Sequence, residues 1–208
     1  MNRTVLFGAL VAAVTAVALA GCGTGAMPAA APAAAPSAAP AAAAEHNDAD
    51  TTFATSMVPH HAQAIEMAQL ATDRATSSKV QELAGQIEQA QGPEITQLQG
   101  LLVAWGEKPA PTNAGGMGGM GGMPGMGGVG AMPGMMSDQQ MKQLQAASGA
   151  AFDRMWLQMM IEHHTGAIEM ARTELSSGTN GEAKDLAQKV VDAQQSEITT
   201  MKQMLTSL

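Results

Sequence analysis

Met57-Val-Pro-His-His-Ala-Gln-Ala-Ile-Glu-Met-Ala68 occurs a second time as Met160-Ile-Glu-His-His-Thr-Gly-Ala-Ile-Glu-Met-Ala171, at a constant shift of 103 residues. The same shift relates Phe53 to Trp156, and Gln91, Glu94, Ile95, Leu98 and Leu102 to Gln194, Glu197, Ile198, Met201 and Leu205. Self-similarity that continues without a gap is the mark of a duplicated unit. Within each copy the apolar residues recur at helical spacing. On a wheel, one face of the first stretch collects Phe53, Met57, His60, His61, Ala64, Met67 and Ala68, while Glu66 points away. A second apolar stripe uses Leu83, Ala84, Ile87, Ile95, Leu98 and Leu102, with Gln91 and Glu94 inside it.

Each copy therefore predicts a helical hairpin, with helices over about 52–75 and 79–105 and a Ser/Thr-rich turn at Thr76 to Ser78. The copy turns at Ser176 to Gly181. A turn centred near residue 77 sets His60 opposite Glu94, and the copy sets His163 opposite Glu197. Pro59 and Pro93 fall at that level and predict a local kink that the second copy, with Glu162 and Ser196, lacks. Two such hairpins make an all-α bundle.

The 208 residues suffice for one domain plus unstructured segments. Residues 1–21 read as an export signal, with Arg3 ahead of an apolar run from Val5 to Ala20. Leu19-Ala-Gly-Cys22 resembles a lipoprotein processing site, so lipid on Cys22 would tether the protein to the membrane outside the cytoplasm. An ordinary secretory signal and an uncleaved anchor are the alternatives. Residues 22–47 form an Ala/Pro-rich spacer, at whose end His46 is expected to be solvated. Hairpin 1 covers 48–107, a Gly/Met-rich linker 108–137, and hairpin 2 138–208, with a helix starting near Asp138. The linker and the N-terminal low-complexity segment predict disorder, since Gly at such density forbids a stable helix or strand.

The formal charge of −8 without a basic cluster argues against nucleic acid as a partner. Cys22 is the only cysteine, so the folded part can form neither disulfide nor thiolate site. Four of the five histidines occupy the repeat. Met and His at positions i, i+3 and i+4 put three donors on neighbouring turns. Thioether favours Cu(I) and imidazole accepts Cu(I) or Cu(II), while silver would compete for the thioethers and zinc or nickel could use His and Glu alone. The candidate ligands are Met57, His60, His61 and Met67, repeated as Met160, His163, His164 and Met170. Glu94 and Glu197, with Gln91 and Gln194, are inward polar groups suited to bind or to orient an imidazole. Met117, Met120, Met123, Met126, Met132, Met135 and Met136 in the linker could wrap a soft ion or serve only as spacer. Partly exposed histidines and core-filling methionines are the bland alternative.

Phe53-x3-Met-Val-Pro-His-His-x2-Ala-Ile-Glu-Met-Ala, followed by Gln91-x2-Glu-Ile-x2-Leu, resembles the bacterial "domain of unknown function 305" family. Phe152-Asp-Arg-Met-x4-Met-Ile-Glu-His-His-x2-Ala-Ile-Glu-Met-Ala follows the same pattern, so the resemblance covers about 48–105 and 138–208. It implies a ferritin-like four-helix bundle, exported, with copper binding and copper tolerance among its members' roles. It also carries over His60, His61, His163, His164, Met57, Met67, Met160 and Met170 as ligands. Three functions stay in view: copper sequestration, copper-dependent oxidation, and a metal-free envelope interaction module, with homo-oligomerisation open. A metal-binding protein is preferred to an enzyme. Di-iron chemistry is disfavoured because Glu66 and Glu169 are followed three residues on by Gln69 and Arg172 rather than His.

Overall fold

The computed structural model describes residues 45–112 and 132–208. Its described residues form five helices: α1 (Asp48–Arg74), α2 (Ser78–Ala104), α3 (Asp138–Ala146), α4 (Gly149–Ser177) and α5 (Gly181–Ser207). The four long helices are the two duplicated hairpins, α1–α2 and α4–α5, and they make the expected four-helix bundle. The helix expected from Asp138 is broken at Ala147 and Ser148, so α3 is a short separate element before α4. Both α1 and α2 run on through Pro59 and Pro93 without interruption. The expected leader, Cys22 and all but the last three residues of the spacer lie outside the described residues. No helix among the described residues is long and apolar enough to cross a membrane.

Antiparallel α1 and α4 are the central pair. The start of α1 meets the α4–α5 turn, the middles meet at His60 and His163, and the α1–α2 turn meets the start of α4. Each central helix also packs along its own hairpin partner, whereas α2 and α5 meet only briefly, as where Gln97 bonds Glu182. The wheel face expected to be inward is inward: Phe53, Met57, His60, His61, Ala64, Met67 and Ala68 are all buried. Trp156 and Phe152 are completely buried, worth about 1.5–3 kcal/mol each for comparable apolar side chains. The Trp156 indole N–H donates to the Met67 carbonyl at 2.9 Å, which joins the two copies. His46 is not simply solvated, because its ring stacks on Trp105 at 4.8 Å.

Two buried aspartates at equivalent repeat positions lock each hairpin's turn to the other copy. Asp153 accepts from the Thr76 amide at 3.1 Å, the Thr76 hydroxyl at 2.8 Å and the Ser77 amide at 3.0 Å. Asp50 accepts from the Thr179 amide and hydroxyl, each at 3.1 Å, and from the Asn180 amide at 2.9 Å. It also completes the capping box of Asn47 at the start of α1. The clamps also differ in that buried Glu174 lies beside Asp50, whereas the equivalent position of the first copy is Ala71.

Burial, a hydrogen bond with Asp50 and the Asp50 charge push Glu174 up to about 8, against the pull of Lys184. Burial by itself would raise Asp50, but the Glu174 carboxyl and the amides of Asn180, Asn47 and Thr179 hold it down at about 2. Folded Glu174 thus keeps a proton that the unfolded chain releases above its ordinary 4.5. Its contribution makes stability fall as pH rises from about 4.5 to about 8 and then level off. Asp50 contributes stability that is present above its ordinary 3.8 and lost as pH falls towards 2. The stability of the parent relative to a Glu174→Gln variant, measured by urea unfolding, should fall as pH rises from about 5 to about 8, the contributions of the other groups cancelling in the difference. Asp153→Ala should lower stability by about 2–3 kcal/mol, since donors to a carboxylate are left unpaired. Thermal denaturation should register that as a drop of roughly 4–12 °C.

Candidate metal centre

All four paired histidines are fully buried at mid-helix, between two apolar clusters. One cluster holds Met67, Met160, Trp156 and Phe152, and the other Phe53, Met57, Leu98 and Leu186. His60 and His163 face each other across the α1–α4 pair, with ring centroids 3.8 Å apart. His61 bonds Glu94 and His164 bonds Glu197, each through Nε2 at 2.7 Å. The hairpin arithmetic is therefore right to within one residue, the second histidine of each pair being the one that meets the glutamate. Those glutamates are not sealed in, since their side chains are 20% and 19% exposed.

Carboxylate and carbonyl oxygens only accept, so each bonded Nε2 carries the hydrogen. His60 Nε2 donates to the carbonyl of Pro133 at 3.0 Å. The Nδ1 atoms of these three imidazoles are buried with no hydrogen-bond partner. His163 has neither ring nitrogen bonded, and Gln91 Oε1 and Gln194 Oε1 are likewise unpartnered. Burial, reinforced by repulsion from His61, lowers His60 to about 3, with the Pro133 bond opposing. Burial and the neighbouring histidines likewise hold His163 well below the usual range. Both rings are neutral at physiological pH. Neutral imidazoles with unused lone pairs in a dry layer are donors suited to a metal ion.

Because α1 and α4 are antiparallel, Met57 shares a cluster with Met170, and Met67 shares the other with Met160. The histidine layer lies between. Met57, Met67 and Met160 are fully buried and Met170 is half-buried. No three or more His, Cys, Asp and Glu side chains among the described residues are set to hold one ion. In this conformation an ion would need thioether donors or a rotated imidazole. A surface groove of about 640 Å³ between α4 and α5 is lined by Thr165, Arg172 and Lys202 but by none of these histidines.

Met117, Met120, Met123 and Met126 lie outside the described residues. Met132, Met135 and Met136, expected in the Gly/Met-rich linker, belong to a segment that lies against the bundle, where the Pro133 carbonyl meets His60. Met136 is buried in the Met160 cluster. Its amide donates to Gln63 Oε1 at 2.7 Å and its carbonyl accepts from Gln63 Nε2 at 2.8 Å. Sequence reasoning missed Gln63, Pro133 and Gly166. The available signal was the mismatch of Gln63 with Gly166, one of the differences between the copies beside Val58/Ile161, Pro59/Glu162 and Ala62/Thr165.

The family profile described as "Domain of unknown function (DUF305)" matches residues 50–205. A DUF305 crystal structure from Streptomyces coelicolor is 34% identical, with a TM-score of 0.65 over 76% of this chain and 93% of that one. A DUF305 fragment from Deinococcus radiodurans is 29% identical, with a TM-score of 0.66 over 78% and 98%. CopM in its Cu(II)-bound form is 29% identical, with a TM-score of 0.62 over 76% and 96%. CopM has also been solved with Cu(I) and with silver. No curated protein matches the chain. With three quarters of its length matched and the duplicated His-His bundle in common with the expected pattern, the chain belongs to the DUF305 family.

Proposed function

We propose that this is an exported, lipid-anchored copper-binding protein that sequesters copper outside the cytoplasm. The observation that carries the reading is the buried layer of four histidines with five unpartnered ring nitrogens. Leaving a buried polar atom unpaired costs about 1–3 kcal/mol, so a layer of this kind needs a reason. A bound soft ion supplies one. His60, His61, His163 and His164 are the nitrogen donors in this reading, and Met57 with Met170 and Met67 with Met160 are the thioethers above and below them. Glu94 and Glu197 hold the Nε2–H of His61 and His164 and aim Nδ1 inward, as carboxylates commonly do for ligating imidazoles. Gln91 and Gln194 stand close by in sequence as polar neighbours. CopM's Cu(I), Cu(II) and silver forms support copper as the cargo and silver as its competitor. The apolar leader with Cys22, and the provisional description of the Streptomyces coelicolor relative as secreted, support the compartment.

The test is a Cu(I) titration of the full-length chain under anaerobic, reducing conditions against a competing chelator. Beside it stand a variant with His60, His61, His163 and His164 all changed to Leu, and a deletion of residues 115–131. The Leu variant should stay helical by circular dichroism, because it removes unpaired nitrogens, yet lose tight binding. The deletion should keep it. Tight binding that survives in the Leu variant and vanishes in the deletion would move the site into the Gly/Met tract, and a parent that takes up no copper would end the reading.

A further inference from the structure

Met132–Met136 crosses the two-fold arrangement of α1 and α4 at the level of His60 and His163. It is attached there in three ways. The Pro133 carbonyl accepts from His60 Nε2, the Gln63 side chain grips both backbone groups of Met136, and the Met136 side chain is buried in the core. Its path is so close that side chains have been removed to admit it. Gly134 has φ +75, and a Cβ there would lie 2.7 Å from the Glu162 carbonyl oxygen and 2.8 Å from that of His163. A Cβ at Gly166 would overlap the Pro133 carbonyl itself.

Gln63 and Gly166 are equivalent positions of the duplicated unit. One segment cannot obey a two-fold arrangement, so one copy has to hold it and the other has to make room. The two residues differ in that sense. This complementary departure, in which Gln63 holds the segment and Gly166 makes room for it, marks the crossing as built into the fold rather than a loose linker end.

We propose that Met132–Met136 is a strap that positions His60, fixing Nε2–H and leaving Nδ1 to bind, and that covers the His60/His163 pair so that an ion enters by displacing it. The part of this concerning ion entry rests on the copper reading. The positioning of His60 does not. Pro133 supplies for His60 the acceptor that Glu94 and Glu197 supply for His61 and His164. His163 has no such acceptor. The strap is neither helix nor strand, and its hold on the bundle is a few hydrogen bonds and one buried side chain, so it can lift without disturbing a hairpin.

The experiment uses the full-length, metal-free chain labelled with ¹⁵N, with Gly166→Ala and Gln63→Leu as separate variants. Imidazole spectra of the parent should show His60 as a single Nε2–H tautomer. In both variants that single form should be lost and the Met136 amide should exchange about tenfold faster or more. His61 and His164 should keep Nε2–H, showing that the bundle is intact. Stopped-flow mixing with a Cu(I) chelate should give association about tenfold faster in the variants, because the open fraction limits entry. A parent His60 that is Nδ1–H or mixed would overturn the positioning role. Unchanged exchange and unchanged association in both variants would overturn the strap. If the parent takes up no Cu(I), the copper reading and the entry role fall together, and the ring spectra and Met136 exchange still decide the positioning role.

Discussion

Four imidazoles in the dry middle of a helical bundle are the constraint around which this molecule is built. Burying polar rings is unfavourable unless they find partners. Here the outer edge of three rings is satisfied, by Glu94, Glu197 and the Pro133 carbonyl, while the inner edge is left unpaired. The apolar residues are divided into two clusters because this polar layer lies between them. Each cluster contains a large ring or long side chains from both copies, so the two halves cannot separate without exposing both.

The reciprocal aspartates explain how such a layer is tolerated. Asp50 and Asp153 stand far from the histidines along α1 and α4, at the two ends of the central pair. Each ties the start of its helix to the other copy's turn by bonds of 2.8–3.2 Å. The register of α1 against α4 is thereby held at both ends, and the facing of His60 and His163 in between follows from it. Clamping the ends is what a bundle needs when its centre contributes little to its own stability.

The periodicity of Phe53 to Ala68 and of Leu83 to Leu102 made the hairpins legible, and the 103-residue shift made the duplication so. Turn position alone carried the partnership of the His pairs with Glu94 and Glu197 to within one residue. What the sequence did not reveal is how the copies pack on each other. A repeat is equally compatible with parallel and antiparallel central helices, and only the antiparallel choice puts Met57 with Met170 and Met67 with Met160. The strap was hidden for a different reason. A carbonyl accepting a hydrogen bond has no residue-specific signature, so Pro133 looked like any linker residue. Asp50 and Asp153 were in plain view as a duplicated pair, yet buried turn clamps have no period of their own and are seen only when the turns they hold are known.

Burial and ligand chemistry act in the same direction at this layer. An exposed histidine must shed a proton before its nitrogen can bind a metal at acidic pH, which couples binding to proton release. His60 and His163 have already lost theirs, because an enclosed charge is unfavourable there and the neighbouring rings repel it. The desolvation that weakens the metal-free bundle therefore leaves these two donors in their binding form. On the copper reading this suits a soft ion in particular. Cu(I) gains from uncharged imidazole and thioether, both of which tolerate a dry setting, whereas a hard cation would call for the carboxylates. Those carboxylates stand at the rim, partly in water and engaged with Nε2, where they can orient the imidazoles without competing for the ion.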